Sequence, residues 1–292
     1  MTSNIDLTNP TAEIFVPDGR DAAAALSRAT HMGIGAHQDD VELLACHGIL
    51  DCFGRADKAF FGVTVTNGAG TPRDGIYAGL TEAEMIGVRR KEQKKAAIVG
   101  EYAGVALLDY PSVPVKDPED RRPVDDLKTL VAAARPRVIY THNPTDRHDT
   151  HVAVMLKVIQ ALRELPEEQR PATLYGMEVW RDLDWLVDDD KVCHDVSGHD
   201  NLASALIEVF DSQNCGRKRY DLAAMARRRA HAVYARSHSW NDTWTHVAFG
   251  MDMTPLLRDP ALSVMEYTLR RVARFRDDIT QRIEKLSGGS CR

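Results

Sequence analysis

Over the first 180 residues, segments with the apolar pattern of strands alternate with segments that have the apolar pattern of helices. Short runs rich in Val, Ile and Phe are typical of buried strands: Met32–Ala36, Ala59–Thr66, Gly104–Leu108, Arg137–Thr141 and Thr173–Val179. The longer segments between them have helical spacing: Asp40–Phe53, Thr81–Val99, Val124–Ala134 and Thr150–Leu165. Such alternation predicts an α/β fold, a Rossmann-like and mostly parallel sheet with helices on both faces.

Beyond about residue 180 the strand patterns fade, and a helical C-terminal region is predicted over Asp200–Gln213, Tyr220–Arg236 and Ser263–Leu286. In the last helix, apolar residues recur every three or four positions: Met265, Leu269, Val272, Phe275, Ile279, Ile283 and Leu286. We expect this face to pack on the sheet or on a second subunit, which would make the protein a homo-oligomer. Capping boxes are predicted at Thr81 with Glu84 and at Ser263 with Glu266. No linker divides the chain, so one domain is expected over residues 1–292, with flexible ends at 1–17 and 287–292.

Composition narrows the class of ligand. The 292 residues carry a formal net charge of −6 and no long basic run, which argues against a nucleic-acid binder. No apolar stretch is long enough for a signal peptide or a membrane span, so a soluble, cytoplasmic protein is expected. The five cysteines are scattered and lack a CxxC spacing, so any metal must be bound by His and carboxylate side chains. A small molecule is the expected substrate.

Chemically active residues follow directly after two of the predicted strands. His37, Asp39 and Asp40 follow the first strand, and His148 and His151 follow the fourth. The carboxyl ends of parallel strands meet at one crevice, so these side chains should converge there as ligands of zinc or a similar ion. In a tight turn Asp39 and Asp40 must point in different directions, so one can bind metal while the other acts as a base. Taken alone, each motif is more often an N-cap or an ordinary helix start.

The same residues resemble the signatures of a known family. The string Ala36-His37-Gln38-Asp39-Asp40-Val41-Glu42 resembles the Ala-His-Pro-Asp-Asp-x-Glu motif of the PIG-L/LmbE-like metal-dependent de-N-acetylases. The string Asp146-Arg147-His148-Asp149-Thr150-His151 resembles their second motif, usually His-Pro-Asp-His. The resemblance covers roughly residues 30–200. It implies that His37, Asp40 and His151 bind the metal, that Asp39 is the general base, and that His148, in protonated form, stabilises the oxyanion or protonates the leaving amine. Gln38 and Thr150 depart from the motifs, and Thr150 leaves open whether Asp146, Asp149 or another carboxylate orients His148.

Other candidates have a structural explanation of similar or greater weight. Asn67, Arg73 and Asp109 are candidate substrate-binding residues, but a tight turn, a solvated loop arginine and a strand-end carboxylate explain them as well. The basic residues Arg217–Arg219 and Arg227–Arg229 either bind a phosphate on the substrate or form a solvated helix face. Arg89, Arg90 and Glu92 are expected on an exposed, salt-bridged face. Glu42 is expected to bond backbone amides or an arginine, and His142 is the further histidine nearest the site.

The function that the resemblance implies is removal of the acetyl group from an N-acetylated amino sugar, such as an N-acetylglucosamine conjugate, by water activated by the metal and Asp39. Zinc is the expected metal, and Fe²⁺ or Co²⁺ tolerates the same ligands. The alternatives are hydrolysis of another acyl or ester bond and a catalytically weak metal- or sugar-binding protein. A dehydrogenase is disfavoured because the turn Gly33–Asp40 lacks a third glycine and places carboxylates where a pyrophosphate would bind.

Overall fold

The structure, a computed structural model, describes residues 5–235 and 243–288. Within these ranges eight strands form one sheet in the order β1-β4-β3-β2-β5-β6-β8-β7. The strands are β1 (Glu13–Phe15), β2 (His31–Gly35), β3 (Phe60–Thr66), β4 (Gly104–Tyr110), β5 (Val138–His142), β6 (Thr173–Met177), β7 (Val192–Asp195) and β8 (Val247–Asp252).

Twelve helices are described in the same ranges. They are α1 (Ala22–Ser27), α2 (Asp40–Leu44), α3 (Cys46–Cys52), α4 (Glu82–Val99), α5 (Ser112–Lys116), α6 (Arg122–Ala134), α7 (Asp149–Glu164), α8 (Asp200–Glu208), α9 (Asp211–Gln213), α10 (Tyr220–Tyr234), α11 (Pro255–Arg258) and α12 (Val264–Ser287). A π-helical turn, Asn214–Lys218, joins α9 to α10. None of these helices is both long and apolar enough to cross a lipid bilayer.

The centre of the sheet is the parallel set β4-β3-β2-β5-β6, and it contains all five strands predicted from the sequence. The chain runs outward from β2 to β4 and then returns to β5 on the other side of β2. This reversal opens a crevice beyond the carboxyl ends of the strands, where ligands bind in open α/β sheets.

Helices cover both faces of the sheet, which confirms the predicted fold class. One hydrophobic core lies against α1, α6 and α7, and a second lies against α2, α3 and α8. The capping box at Thr81 and Glu84 is present at the start of α4, and the Ser263 side chain accepts a hydrogen bond from Glu266 N at the start of α12. These caps satisfy amide groups that the first turn of a helix leaves without partners.

The structure differs from the sequence predictions in three parts of the chain. The strands β7 and β8 lie beyond residue 180, where no strand was expected, and they extend the sheet with antiparallel pairing. Residues 13–15, expected in a flexible terminus, form edge strand β1, which pairs antiparallel with β4, and Glu13 contacts Lys94 and Arg90. The predicted helix Asp40–Phe53 is interrupted at Ala45, whose backbone leaves the helical region.

Candidate active site

Three side chains bring their donor atoms together at the carboxyl ends of β2 and β5. His37 Nδ1 lies 3.1 Å from Asp40 Oδ2, and His151 Nε2 lies 3.3 Å from each of these two atoms. Zinc in tetrahedral geometry, with bonds of about 2.0–2.2 Å, needs ligand atoms about 3.3–3.6 Å apart. The triangle therefore has the size and the donor chemistry of three zinc ligands, with one side left for another ligand.

The electrostatics of this triangle favour a carboxylate flanked by imidazoles. Burial opposes ionisation of Asp40, but His151, His142 and His37 outweigh it and hold the pKa of Asp40 well below its usual value. Burial likewise disfavours a charged His151, yet Asp40 and Asp146 raise its pKa above the ordinary value. Asp40 is thus ionised and available as a metal ligand at neutral pH.

Asp146 and His142 support His151 from behind. Asp146 Oδ1 lies 3.4 Å from His151 Nδ1, which leaves Nε2 of the same ring to face His37 and Asp40. The ring of His142 stacks on His151 at a centroid distance of 4.0 Å, and His142 Nε2 accepts a hydrogen bond from Ala36 N. His142, Asp146 and His151 also form a possible ligand group by distance. Because Nε2 of His142 already has a donor, the triangle of His37, Asp40 and His151 is the better site.

Asp39 lies beside the triangle in an unusual backbone conformation. Its φ is 102°, a region that non-glycine residues rarely adopt, at the start of α2. Arg89 holds this turn: its Nη2 donates to the carbonyl oxygen of Gln38 and lies 3.3 Å from Asp39 Oδ1. Burial raises the pKa of Asp39 to about 6, although Arg89 opposes the shift. The two adjacent carboxylates therefore have different partners, as expected for a tight turn.

His148 lines the same cavity, and no carboxylate among the described residues forms a hydrogen bond with its ring. Asp146 accepts a hydrogen bond from the backbone N of His148, Asp149 is exposed, and Thr150 is buried. Nδ1 of His148 is buried and has no hydrogen-bond partner among the described residues. Burial, together with His151 and His37, lowers the pKa of His148 to about 4. This shift favours the neutral imidazole over the protonated form expected from the resemblance, and the catalytic role of His148 stays a prediction.

A cavity of about 560 Å³ opens above these groups. Its lining comes from the segments that follow all five parallel strands and from α10. His37, Asp39, Asp40, His148 and Asn67 line it. His151 closes the triangle from below and is fully buried. The site is thus a pocket with a donor set at its floor, which is the usual arrangement of a small-molecule site.

Two predicted substrate-binding residues lie elsewhere. Arg73 is exposed and does not line the cavity, although its neighbour Pro72 does. Asp109 pairs with Arg90 at 2.7 Å and is also outside the lining. Of the three candidates, Asn67 is the one placed at the cavity.

The comparison of the chain with family signatures agrees with this geometry. Residues 32–162 match the PIG-L family, described as GlcNAc-PI de-N-acetylase. Residues 32–162 are a PIG-L domain. The match includes the triangle of His37, Asp40 and His151 as well as Asp39 and His148. No curated protein matches the chain.

Several solved structures share the fold of this chain over most of its length. The conserved protein TT1542 from Thermus thermophilus is 18% identical, with 80% of this chain and 99% of that chain covered and a TM-score of 0.59. N,N'-diacetylchitobiose deacetylase from Pyrococcus horikoshii is 14% identical, with 83% of this chain and 90% of that chain covered and a TM-score of 0.62. GalB, the 4-carboxy-2-hydroxymuconate hydratase from Pseudomonas putida, is 17% identical, with 77% of this chain and 96% of that chain covered and a TM-score of 0.60. Because a hydratase is among them, the fold alone does not define the reaction.

Several residues around the site have surroundings that differ from those expected from the sequence. Arg89 and Glu92 were expected on an exposed face, but they are 1% and 7% exposed and bond to each other and to Ser212. Glu42 accepts hydrogen bonds from the side chains of Gln93 and Tyr102, neither of which was expected from the sequence. Burial raises the pKa of Glu42 to about 8. These groups form a buried polar layer beneath the turn that carries Asp39.

Three of the basic residues near 217–229 lie at the cavity, whereas Arg219 and Arg229 are exposed. Lys218, Arg227 and Arg228 line the cavity; Arg228 is buried and donates to the carbonyl oxygens of Glu42 and Leu43. Trp180 and Tyr220 also line the cavity, with ring centroids 6.1 Å apart. The sequence left open whether the basic residues bind the substrate, and it did not single out Tyr220, because α10 follows β6 only after a long segment and no local motif marks its approach to the strand ends.

Proposed function

We propose that this protein is a metal-dependent hydrolase that removes the acetyl group from an N-acetylated amino sugar or its conjugate. The observation that carries the proposal is the open triangle of His37 Nδ1, Asp40 Oδ2 and His151 Nε2 at the floor of a cavity, in a PIG-L domain. A triangle with one open side is typical of catalytic rather than structural zinc sites. Zinc is the metal we propose, and Fe²⁺ or Co²⁺ accepts the same ligands.

The bound ion would polarise the acetyl carbonyl and lower the pKa of water. Asp39 is the base: its carboxylate lines the cavity next to the triangle and accepts the proton of the attacking water. His148 has a buried Nδ1, so Nε2 is the nitrogen that a substrate can reach, and it donates a hydrogen bond to the carbonyl oxygen as negative charge develops. The proton taken up by Asp39 then passes to the amine nitrogen, which leaves as the C–N bond breaks. The products are acetate and a free amine.

The charge of the cavity favours a substrate that carries an anionic group. Within the described part of the chain, the lining includes cationic side chains with no carboxylate partner: Lys116, Arg147, Lys218, Arg227 and Arg228. The lining carboxylates are already matched, since Asp39 faces Arg89, Asp40 faces histidines and Glu178 lies 3.2 Å from His231. A phosphate or carboxylate on the sugar conjugate would neutralise part of this excess positive charge.

The test is acetate and amine release from paired N-acetylated sugars by protein of measured metal content. N-acetylglucosamine 1-phosphate and the uncharged methyl glycoside of N-acetylglucosamine differ in charge at one position. We expect release from both, with a higher kcat/KM for the phosphate, and loss of that preference in Lys218→Met. Lys128→Met, far from the cavity, is the matched control. If fully metal-loaded protein releases acetate from O-acetyl esters but from no N-acetyl compound, the proposed deacetylation is wrong. The activity would then be ester hydrolysis.

A further inference from the structure

The last helix, α12, is attached to the protein through its first half. Tyr267 is buried and its hydroxyl donates to the carbonyl oxygen of Asp252. Arg274 pairs with Asp190, and the ring of Phe275 lies 6.1 Å from that of Trp185. Residues 276–286 are all exposed apart from the partly buried Asp278. At about 1.5 Å per residue, the second half of α12 extends roughly 15 Å beyond these contacts.

An apolar stripe runs along α12 on the side that faces away from Tyr267. Its positions alternate four and three residues apart: Met265, Leu269, Val272, Arg276, Ile279, Ile283 and Leu286. Six of the seven are large apolar side chains, and their exposed fractions range from 41% for Ile279 to 78% for Leu286. A strict repeat of 3.5 residues is the pattern of helices that pair along their length, and a continuous exposed stripe of this kind marks an interaction surface. The stripe does not pack on the sheet, which was one of the two outcomes expected from the sequence.

We propose that α12 pairs with α12 of a second copy of this chain in antiparallel orientation. The repeat is compatible with a two-fold register in which Leu269 faces the partner's Leu286, Val272 faces the partner's Ile283, and Arg276 faces the partner's Ile279. A two-fold axis applies the same stripe to both copies, so Leu269, Val272, Ile283 and Leu286 each gain an apolar neighbour, and Ile279 lies opposite the partner's Arg276. The flanking positions Ala273 and Thr280 are small and uncharged, and they allow the helices to approach.

Arg276, the one cation in the stripe, decides the orientation. In a parallel pair with equal registers it would face its own copy, and two guanidinium groups would be buried against each other. In the antiparallel register the two Arg276 side chains are separated, and each lies within about one helical turn of the partner's Asp277 and Asp278. Arg276 already contacts Asp277 in its own helix at 2.8 Å, so the acidic partner is present in every copy. The sequence thus carries both the apolar surface and the counter-charge for pairing with itself.

The first test measures the mass of the full chain by sedimentation equilibrium across a range of concentrations. We expect a dimer that dissociates on dilution. The double variant Leu269→Glu with Ile283→Glu should raise the dissociation constant more than about tenfold. Ile98→Glu, which places the same charge at an exposed apolar residue of α4, is the matched control and should leave the dimer intact. A chain that is monomeric at every concentration, or a dimer unaffected by the double variant, would overturn the proposal. So would a monomer that binds anionic lipid vesicles through the stripe.

The second test determines the orientation. After mild oxidation, Leu269→Cys combined with Leu286→Cys should form two disulfides between protomers, and each single variant should remain at the level of the unsubstituted chain, which controls for the exposed Cys215. Strong cross-linking of Leu269→Cys alone would show a parallel pair and contradict the register.

Discussion

Asp39 and Asp40 are neighbours in sequence, but their carboxylates have different surroundings. Asp40 lies among three histidines, and Asp39 lies against Arg89. We therefore expect Asp39→Asn to keep the metal and to lose about 10²–10⁴ in kcat, the usual contribution of a general base. Asp40→Asn should instead lose metal affinity, because a neutral amide is a poorer ligand. Elemental analysis and acetate release, measured on the same preparations, separate the two effects. Equal loss of metal in both variants would contradict the assignment.

Asp146 acts on the site through His151. Its Oδ1 lies 3.4 Å from His151 Nδ1, which directs Nε2 toward the triangle. Loss of such an outer carboxylate typically costs about 10–100-fold in metal affinity. We expect that loss in Asp146→Asn, with kcat largely retained once the protein is saturated with metal. Titration with zinc in the presence of a competing chelator measures the affinity. Unchanged affinity would mean that backbone contacts alone orient the His151 ring.

The residues of the triangle could be predicted from the sequence, but the residues that line the rest of the cavity could not. His37, Asp40 and His151 follow strands of one parallel sheet, and the topology of such a sheet brings strand ends together. Arg73 and Asp109 have similar positions along the chain, but Arg90 binds Asp109 and the Arg73 side chain is exposed. Which loop residue reaches a cavity depends on tertiary packing, which no local pattern encodes.

At the scale of elements, α4 is unusual because its buried face is largely polar. Arg89, Glu92 and Gln93 are buried there, and they contact the turn after β2, Glu42 and Ser212. We expect Arg89→Met to lower the free energy of unfolding by about 3–5 kcal/mol, because Glu92 and Asp39 lose their buried counter-charge. The activity of the folded fraction should also fall, since Arg89 holds the Asp39 turn.

Arg90→Met provides a matched control for that prediction. Arg90 is the next residue on α4, but it pairs with Asp109 and Glu13 near the surface. Its replacement should cost about 1 kcal/mol or less. Chemical denaturation of the two variants gives the comparison, and similar destabilisation by both would show that the buried ion pairs of Arg89 contribute little.

The polar face of α4 also explains why Arg89 and Glu92 were expected to be exposed to solvent. Helical burial is read from apolar periodicity, and that rule fails where a helix supports a functional turn through hydrogen bonds. The missed strands have a different cause. The strand β7 has four residues, two of them His194 and Asp195, and it is recognisable only through its pairing with β8. The five central strands were predictable because burial on both faces makes them continuous apolar runs.

At the scale of the whole molecule, a second group of histidines lies around Tyr140, away from the proposed metal ligands; His31 and His194 are buried and His47 is half-buried. The ring centroids of His31, His47 and His194 are 6.4, 5.9 and 6.1 Å from that of Tyr140. Burial lowers the pKa of His31 to about 4, with Asp51 opposing the shift, and burial together with His47 lowers the pKa of His194 to about 3. Folding therefore stabilises the neutral form of these rings.

This arrangement predicts that the protein loses stability in mild acid. The unfolded chain has histidine pKa values near 6.5, so below that pH it binds protons that the folded chain does not bind. Stability is then fully present above about pH 6.5 and decreases as the pH falls toward the folded-state values. Each such histidine contributes a loss of about 1.4 kcal/mol per pH unit once the unfolded state is protonated.

His194→Leu tests the contribution of one ring, because leucine is similar in size and cannot be protonated. His194 Nε2 is buried without a hydrogen-bond partner among the described residues, so the replacement removes no polar contact at that atom. We expect the free energy of unfolding of His194→Leu to fall less steeply between about pH 6 and about pH 5, by about 1 kcal/mol relative to the unsubstituted chain. His199→Leu, at an exposed histidine, should keep the original slope. Both variants retain the triangle, so any effect of metal release at low pH is common to them. If the free energy of unfolding falls equally steeply with pH in both variants, groups other than His194 cause the acid sensitivity.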